Sequence, residues 1–264
     1  MSKLFENVTI GCDPEFFLKD QKGYIGAAKF LKGTKWYPEK IDENGSAVLH
    51  DNVMVEFNTA PARTADEFVQ SVNTVLQHLR GRLPQDVSFD FSPSAHFSPS
   101  RLRSMAAKIF GCEPDFNAWL KGRTNPPIEC DDRTLRTSGG HIHVGYTAPT
   151  EGTNLELIKH MDLFLGVPSI LIDKAGDERR KMYGKAGACR MKPYGAEYRV
   201  LSNFWIANND LIQWAFNNTI STTEFLNSGN RISEEDGELV VHTINNNDEV
   251  AAKHLIEKYK IEMV

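Results

Sequence analysis

No run of apolar residues approaches the roughly 20 that a helix needs to cross a bilayer, so a membrane span is not expected. Met1-Ser2-Lys3-Leu4-Phe5-Glu6 has neither the basic head nor the apolar core of a secretory signal. Cysteine is scarce. Cys12, Cys112, Cys130 and Cys189 are scattered with no CxxC pair, which speaks against a zinc ribbon or a disulfide frame. Free thiols in a reducing cytoplasm are the expectation. An excess of positive charge is missing too: the formal net charge of −5 argues against nucleic acid as a partner, because neutralising phosphates takes surplus Lys and Arg. A nucleotide stays open, since a few local cations and metal ions can hold one. There is no internal repeat, no low-complexity tract and no GxxxxGK[ST] phosphate loop.

What is present suffices for a packed core. With 264 residues, 41% of them hydrophobic, the chain can bury one without disulfides. The run Val8–Leu18 reads as one strand ended by the turn Asp20-Gln21-Lys22-Gly23, and Val53–Asn58 reads as another. Thr64-Ala65-Asp66-Glu67 has the form of a capping box, followed by Phe68, Val72, Val75 and Leu79 at helical spacing, which predicts a helix to about Leu83. A strand near Val87–Phe91, a helix near Arg101–Phe110, a strand at Gly140–Tyr146 and a helix over Asn154–Asp173 follow. Next come a Gly- and Lys-rich loop over 176–195, a strand at Ala196–Ser202, and helices at Asn209–Asn217 and Glu249–Tyr259. Glu234-Glu235-Asp236 before Gly237 reads as a solvated turn. Strands and helices without regular βαβ spacing predict an α+β fold with a largely antiparallel sheet and no evident domain boundary.

Five short constellations could carry chemistry. Asp13-Pro14-Glu15, within the first strand, would aim both carboxylates at one face, where a divalent cation relieves their repulsion. Two exposed acids at a strand end would explain the same letters. Glu56 and Asn58 share a face of the second strand, away from Val55 and Phe57. In Gly139-Gly140-His141-Ile142-His143 two imidazoles share a face and the glycines allow close backbone approach, a mixed O/N metal site or a hydrogen-bonded structural pair. Arg179 to Gly195 interleaves cations (Arg180, Lys185, Arg190 and others) with glycines, either to wrap anionic oxygens or simply as a solvated basic loop. Glu197 and Arg199 share a strand face, as ligand and phosphate partner or as a plain ion pair.

The order of these motifs, GCDPE, VEFN, GGHIHVG and GAEYR over residues 8–206, resembles that of phage-type amidoligases, the carboxylate–amine ligases of the glutamine synthetase and glutamate–cysteine ligase superfamily. The resemblance implies a single catalytic domain over 1–264, its sheet forming a funnel with helices on the outer face. It implies an ATP-dependent ligase using Mg²⁺ or Mn²⁺ to join a small-molecule or peptide carboxylate to an amine through an acyl phosphate, in the host cytoplasm if the gene is a phage's. Asp13, His141 and Glu197 match the ligands of one ion, and Glu15 and Glu56 those of another, with Asp51 or Asn58 as a possible third. Arg199 matches the arginine that steadies the transferred phosphoryl group, with Arg180 and Arg190 as further candidates and Lys185 beside the nucleotide. The first acid is Asp13 where better-known members have Glu, which shortens its reach, and His143 has no assigned role. Two rival readings are a metal-dependent hydrolase built on His141 and His143, and a non-catalytic binding protein that keeps the ligase fold.

Overall fold

Pro14 divides what reads as one strand. In the computed structural model, which describes residues 3–103, 107, 115–121, 123–125 and 130–264, Val8–Leu18 gives β1 (Thr9–Cys12) and β2 (Glu15–Asp20). Pro14 has no N–H to donate, so it fits where a ladder changes partner. Then come β3 (Gly23–Ile25), β4 (Glu39–Lys40), β5 (Ala47–Asp51), β6 (Met54–Asn58), β7 (Ser88–Asp90) and β8 (Ser94–His96). The later strands are β9 (Phe116–Asn117), β10 (Arg123–Thr124), β11 (Leu135–Thr137), β12 (Ile142–Gly145), β13 (Ala188–Lys192) and β14 (Gly195–Tyr198).

The strands form antiparallel sheets. One runs β1-β12-β14-β13-β9-β10, another β3-β2-β6-β5-β4 with β7 on β2, and β11 pairs with β8. The two large sheets meet at Cys12–Glu15. On one side the Asp13 N–H donates to His141 O (3.3 Å) and the Glu15 N–H to Gly139 O (2.8 Å). On the other, the Phe57 N–H donates to Pro14 O (3.3 Å) and the Thr59 N–H to Cys12 O (3.1 Å). That seam makes the fold a mixed α/β arrangement of antiparallel sheets.

Helices cover the sheets. The capping box at Thr64 and Glu67 starts α1 (Ala65–Arg82), which buries Phe68, Val72, Val75 and Leu79 at the predicted spacing. Phe68 stacks on Trp205, with ring centroids 5.8 Å apart. Thr150 caps α2 (Glu151–Met161), three residues before the expected start; a π-helical stretch, Asp162–Gly166, joins it to α3 (Val167–Ile172). The stretch places buried Asp162 where it accepts from Trp119 Nε1 (2.6 Å) and Tyr198 Oη (2.8 Å), and burial pushes its carboxyl up to about 7.

Several expectations need correction. The basic segment 176–195 is not one loop, since it holds α4 (Asp177–Met182) and β13. The helix at Asn209 runs on to Asn227 as α5. The acids at 234–236 open α6 (Glu234–Asn246), capped by Ser233. Asp236 is buried there and accepts from Lys258 Nζ and Tyr259 Oη (2.6 Å). The local pattern of acids before glycine carries no sign of α7 (Glu249–Tyr259), which brings those partners. Of the helix expected at Arg101–Phe110, Pro99–Arg101 forms a 3₁₀ turn, while residues 104–106 and 108–110 lie outside the described residues. No described helix is long and apolar enough to cross a membrane.

Candidate functional site

Cross-strand pairing assembles the site. Residues opposite each other in adjacent strands share a face, and the register sets Gly11, His143, Glu197 and Arg190 side by side across β1, β12, β14 and β13. Gly11 adds no side chain to that row, which leaves room beside His143. Across the seam, Glu15 on β2 lies directly opposite Glu56 on β6, and Leu49 on β5 opposite Glu56. Asp51, two residues from Leu49, reaches the same face.

Two trios of possible ligands result: Asp13, His143 and Glu197, and Glu15, Asp51 and Glu56. Within each, one donor atom per residue lies within 4.8 Å of the others. The Asp13–Glu15 pair does not share one cation position, because the change of partner at Pro14 sends each acid to a different trio. In the first trio Asp13 Oδ1 is 3.0 Å from His143 Nε2 and 3.3 Å from His141 Nδ1. The imidazole grouped with Asp13 and Glu197 is thus His143, while His141 Nδ1 packs beside them, 3.8 Å from Glu197 Oε1 and 3.2 Å from Arg199 Nη1. Gly139 allows this packing: a Cβ there would lie 2.3 Å from His141 Nε2. Its N–H also donates to Glu15 Oε2 (2.8 Å), which orients the second trio.

Charge is balanced differently in the two. Glu197 is fully buried, ion-paired with Arg199, with Lys192 Nζ 2.7 Å from Oε2 and Arg190 Nη1 4.0 Å from Oε1. Burial and Asp13 push the Glu197 carboxyl up, yet Arg199, His141 and His143 hold it at about 2. Burial likewise opposes ionisation of Asp13, but His143 and His141 keep it below the usual carboxylate range. His143 is itself raised, the Asp13 charge outweighing desolvation. In the second trio burial pushes up both Glu15 and Glu56, and for Glu56 the charges of Glu15, Asp13 and Asp51 add to it.

The donor sets fit a divalent cation. Asp13 Oδ1, His143 Nε2 and Glu197 Oε2 are buried and lack a well-directed hydrogen bond among the described residues. Carboxylates with one imidazole suit Mg²⁺ or Mn²⁺ better than thiolate-seeking metals. Both trios border a cavity of about 540 Å³ lined by Asp13, Glu56, His143, Lys35, Lys192 and Tyr194, among others.

The candidate cations divide. Arg199 is brought to the first trio, its Nε donating to Asp115 (2.6 Å) as well as its Nη1 pairing with Glu197. Arg180 is not brought to the trios. Buried at the α3–α4 junction, it donates to Asn247 Oδ1 (2.8 Å) and to the Ser169 and Asp173 carbonyls, and pairs with Asp173. Its neighbour Arg179 faces the seam instead, donating to Val200 O (2.7 Å). Lys185 sits half-buried between α4 and β13, outside the cavity lining. Asn58 lines the cavity, but the third acid beside Glu15 and Glu56 is Asp51. Lys192 belongs to the cation-rich segment 179–195 with no separate role in the sequence, like Tyr194, whose hydroxyl is 2.6 Å from His143 Nδ1, and Lys35, at the Thr34–Tyr37 turn, falls in no motif. A hairpin drawn between Arg190 and Glu197 would have exposed the first two; nothing local marks Lys35. Cys12 and Cys189 are buried as expected, and burial pushes the Cys189 thiol up to about 12.

Residues 135–222 match the model of a family described as Phage phiEco32-like COOH.NH2 ligase-type 2. The matched segment includes His141, His143, Glu197 and Arg199 and leaves out Asp13, Glu15 and Glu56. No curated protein matches the sequence. Among solved structures the chain is similar to a bifunctional glutathione synthetase from Pasteurella multocida, at 9% identity and a TM-score of 0.45, over 96% of this chain and 49% of that one. It thus spans about half that protein's length.

Proposed function

We propose that this chain is an ATP-dependent carboxylate–amine ligase with a glutamine synthetase-like catalytic fold, a single catalytic domain over 1–264. One observation carries the reading: two acidic trios, joined through Pro14, border one cavity with arginine and lysine beside them. The match of residues 135–222 to a ligase family supports it. Asp13, His143 and Glu197 would hold one Mg²⁺ or Mn²⁺, with His141 orienting Asp13, and Glu15, Asp51 and Glu56 would hold another. Bound there, the ions supply neutralisation of phosphate charge.

A carboxylate is a poor electrophile. Its oxygen attacks the γ-phosphorus of ATP, ADP leaves, and an acyl phosphate forms; a neutral amine then attacks the acyl carbon and phosphate departs. Arg199, fixed between Glu197 and Asp115, sets a positive guanidinium where phosphoryl charge develops, and Arg190 adds a second from the next strand. No side-chain nucleophile is needed, in keeping with the inert burial of Cys12 and Cys189.

The test is ATP turnover with pooled candidate acids and amines. ADP, phosphate and an amide product are expected, and both Glu15→Gln and Arg199→Ala should abolish them. Turnover that survives both changes refutes the site. Hydrolysis of an amide without nucleotide use would instead favour a metal-dependent hydrolase.

A further inference from the structure

Lys192 occupies an odd position for a cavity-lining lysine. Its ammonium lies 2.7 Å from Glu197 Oε2, which finds no well-directed hydrogen bond among the described residues and belongs to the first trio. Lys192 closes β13, where it pairs with Gly195 across a tight hairpin, and its side chain is 29% exposed. A four-carbon stem anchored at a hairpin end can swing, whereas Arg199, pinned by Asp115 and Glu197, cannot. A divalent ion held by Asp13, His143 and Glu197 would compete for the same carboxylate and repel the ammonium.

We propose that Lys192 is a displaceable counter-ion. Its ammonium neutralises Glu197 until a divalent cation binds, and then turns into the cavity, where it grips an anionic oxygen of the phosphorylated substrate. The inference rests on the ligase reading for the identity of that anion and on the first trio for the cation. It gives the site an order. Cation capture frees a positive charge on the cavity wall, so cation and anion strengthen each other's binding by the same factor. The released ammonium stays among the cavity-lining residues, with Lys35 on the same cavity to help hold a polyanion.

The experiment uses the full chain and two separate titrations. Mn²⁺ alone, followed by the loss of its free paramagnetic signal, should bind Lys192→Met more tightly than wild type, on the order of tenfold, because a competing charge is gone. ADP at saturating Mn²⁺ should bind the same variant several-fold more weakly. Lys192→Arg should not tighten Mn²⁺ binding, and Lys192→Gln serves if the Met variant melts early. Unchanged or weaker binding of the Mn²⁺ that Asp13→Asn loses overturns the counter-ion when it is seen in the neutral variants, even where wild type binds that ion. If wild type binds no Mn²⁺, or Asp13→Asn binds as many equivalents as tightly as wild type, the first trio fails as a cation site and Lys192 falls with it.

Discussion

The two trios use similar side chains and reach opposite electrostatic states. Asp13 and Glu197 are surrounded by His141, His143, Arg199 and Lys192, and both carboxyls titrate below their usual range. Glu15, Asp51 and Glu56 have no cation within ion-pairing distance among the described residues, and burial and mutual repulsion raise Glu15 and Glu56. The first is a charged site already balanced by its own chain. In the second, burial and repulsion make Glu15 and Glu56 slower to ionise as pH rises, a cost that a bound cation would offset.

The strongest way to break this contrast is to strip the first trio of its arginine. Arg199→Ala leaves fully buried Glu197 and half-buried Asp115 without their main partner, a loss of about 3–5 kcal/mol in unfolding free energy by denaturant titration. A variant as stable as wild type would mean that Lys192 and the histidines balance Glu197 unaided.

Next in size is an opposed pair of pH effects on the metal-free protein. Glu56 has a folded pKa above its unfolded one, so the folded state holds more protons between the two. Its contribution to stability therefore falls as pH rises through that window. Glu56→Gln should raise the melting temperature at pH 8 and change it little at pH 4. Asp13 is depressed, so it stabilises the fold above the unfolded pKa and loses that effect as acid is added. Asp13→Asn should accordingly lower the melting temperature at pH 8. Melts in EDTA across pH 4–8 check both, and shifts of equal sign would erase the distinction.

The smallest effect sharpens it. Tyr194→Phe removes one hydrogen bond to His143 from a half-exposed ring, about 1 kcal/mol of stability at most. Losing the group that orients His143 should weaken Mn²⁺ binding at the first trio on the order of tenfold. Binding at Glu15, Asp51 and Glu56 should not change, so two-site titration separates the two.

What could be read from the chain alone follows from how local each signal is. The start of α1 was legible because Thr64 and Glu67 cap it three residues apart. Glu56 was legible as an acid on an otherwise apolar strand. The division of Asp13 from Glu15 was not, because alternation along one strand says nothing about a change of sheet at Pro14. Arg179 and Arg180 are alike in sequence, and only the packing of α4 against α3 and α6 turns one toward the seam and the other into a structural pair with Asp173. His141 and His143 lie two residues apart on one strand face, and which of them stands directly opposite Glu197 depends on the register of β12 against β14. Long-range pairing, absent from local composition, decides each of these.

Pro14 has a last consequence. Only one residue separates Asp13 from Glu15 along the chain, so the chain itself acts as a ruler between the two acidic groups and breathing of either sheet cannot draw them far apart. A single residue inserted there would flip the side-chain alternation of everything that follows in β2 and turn Glu15 away from Glu56. Length at this seam is therefore under tighter constraint than residue identity.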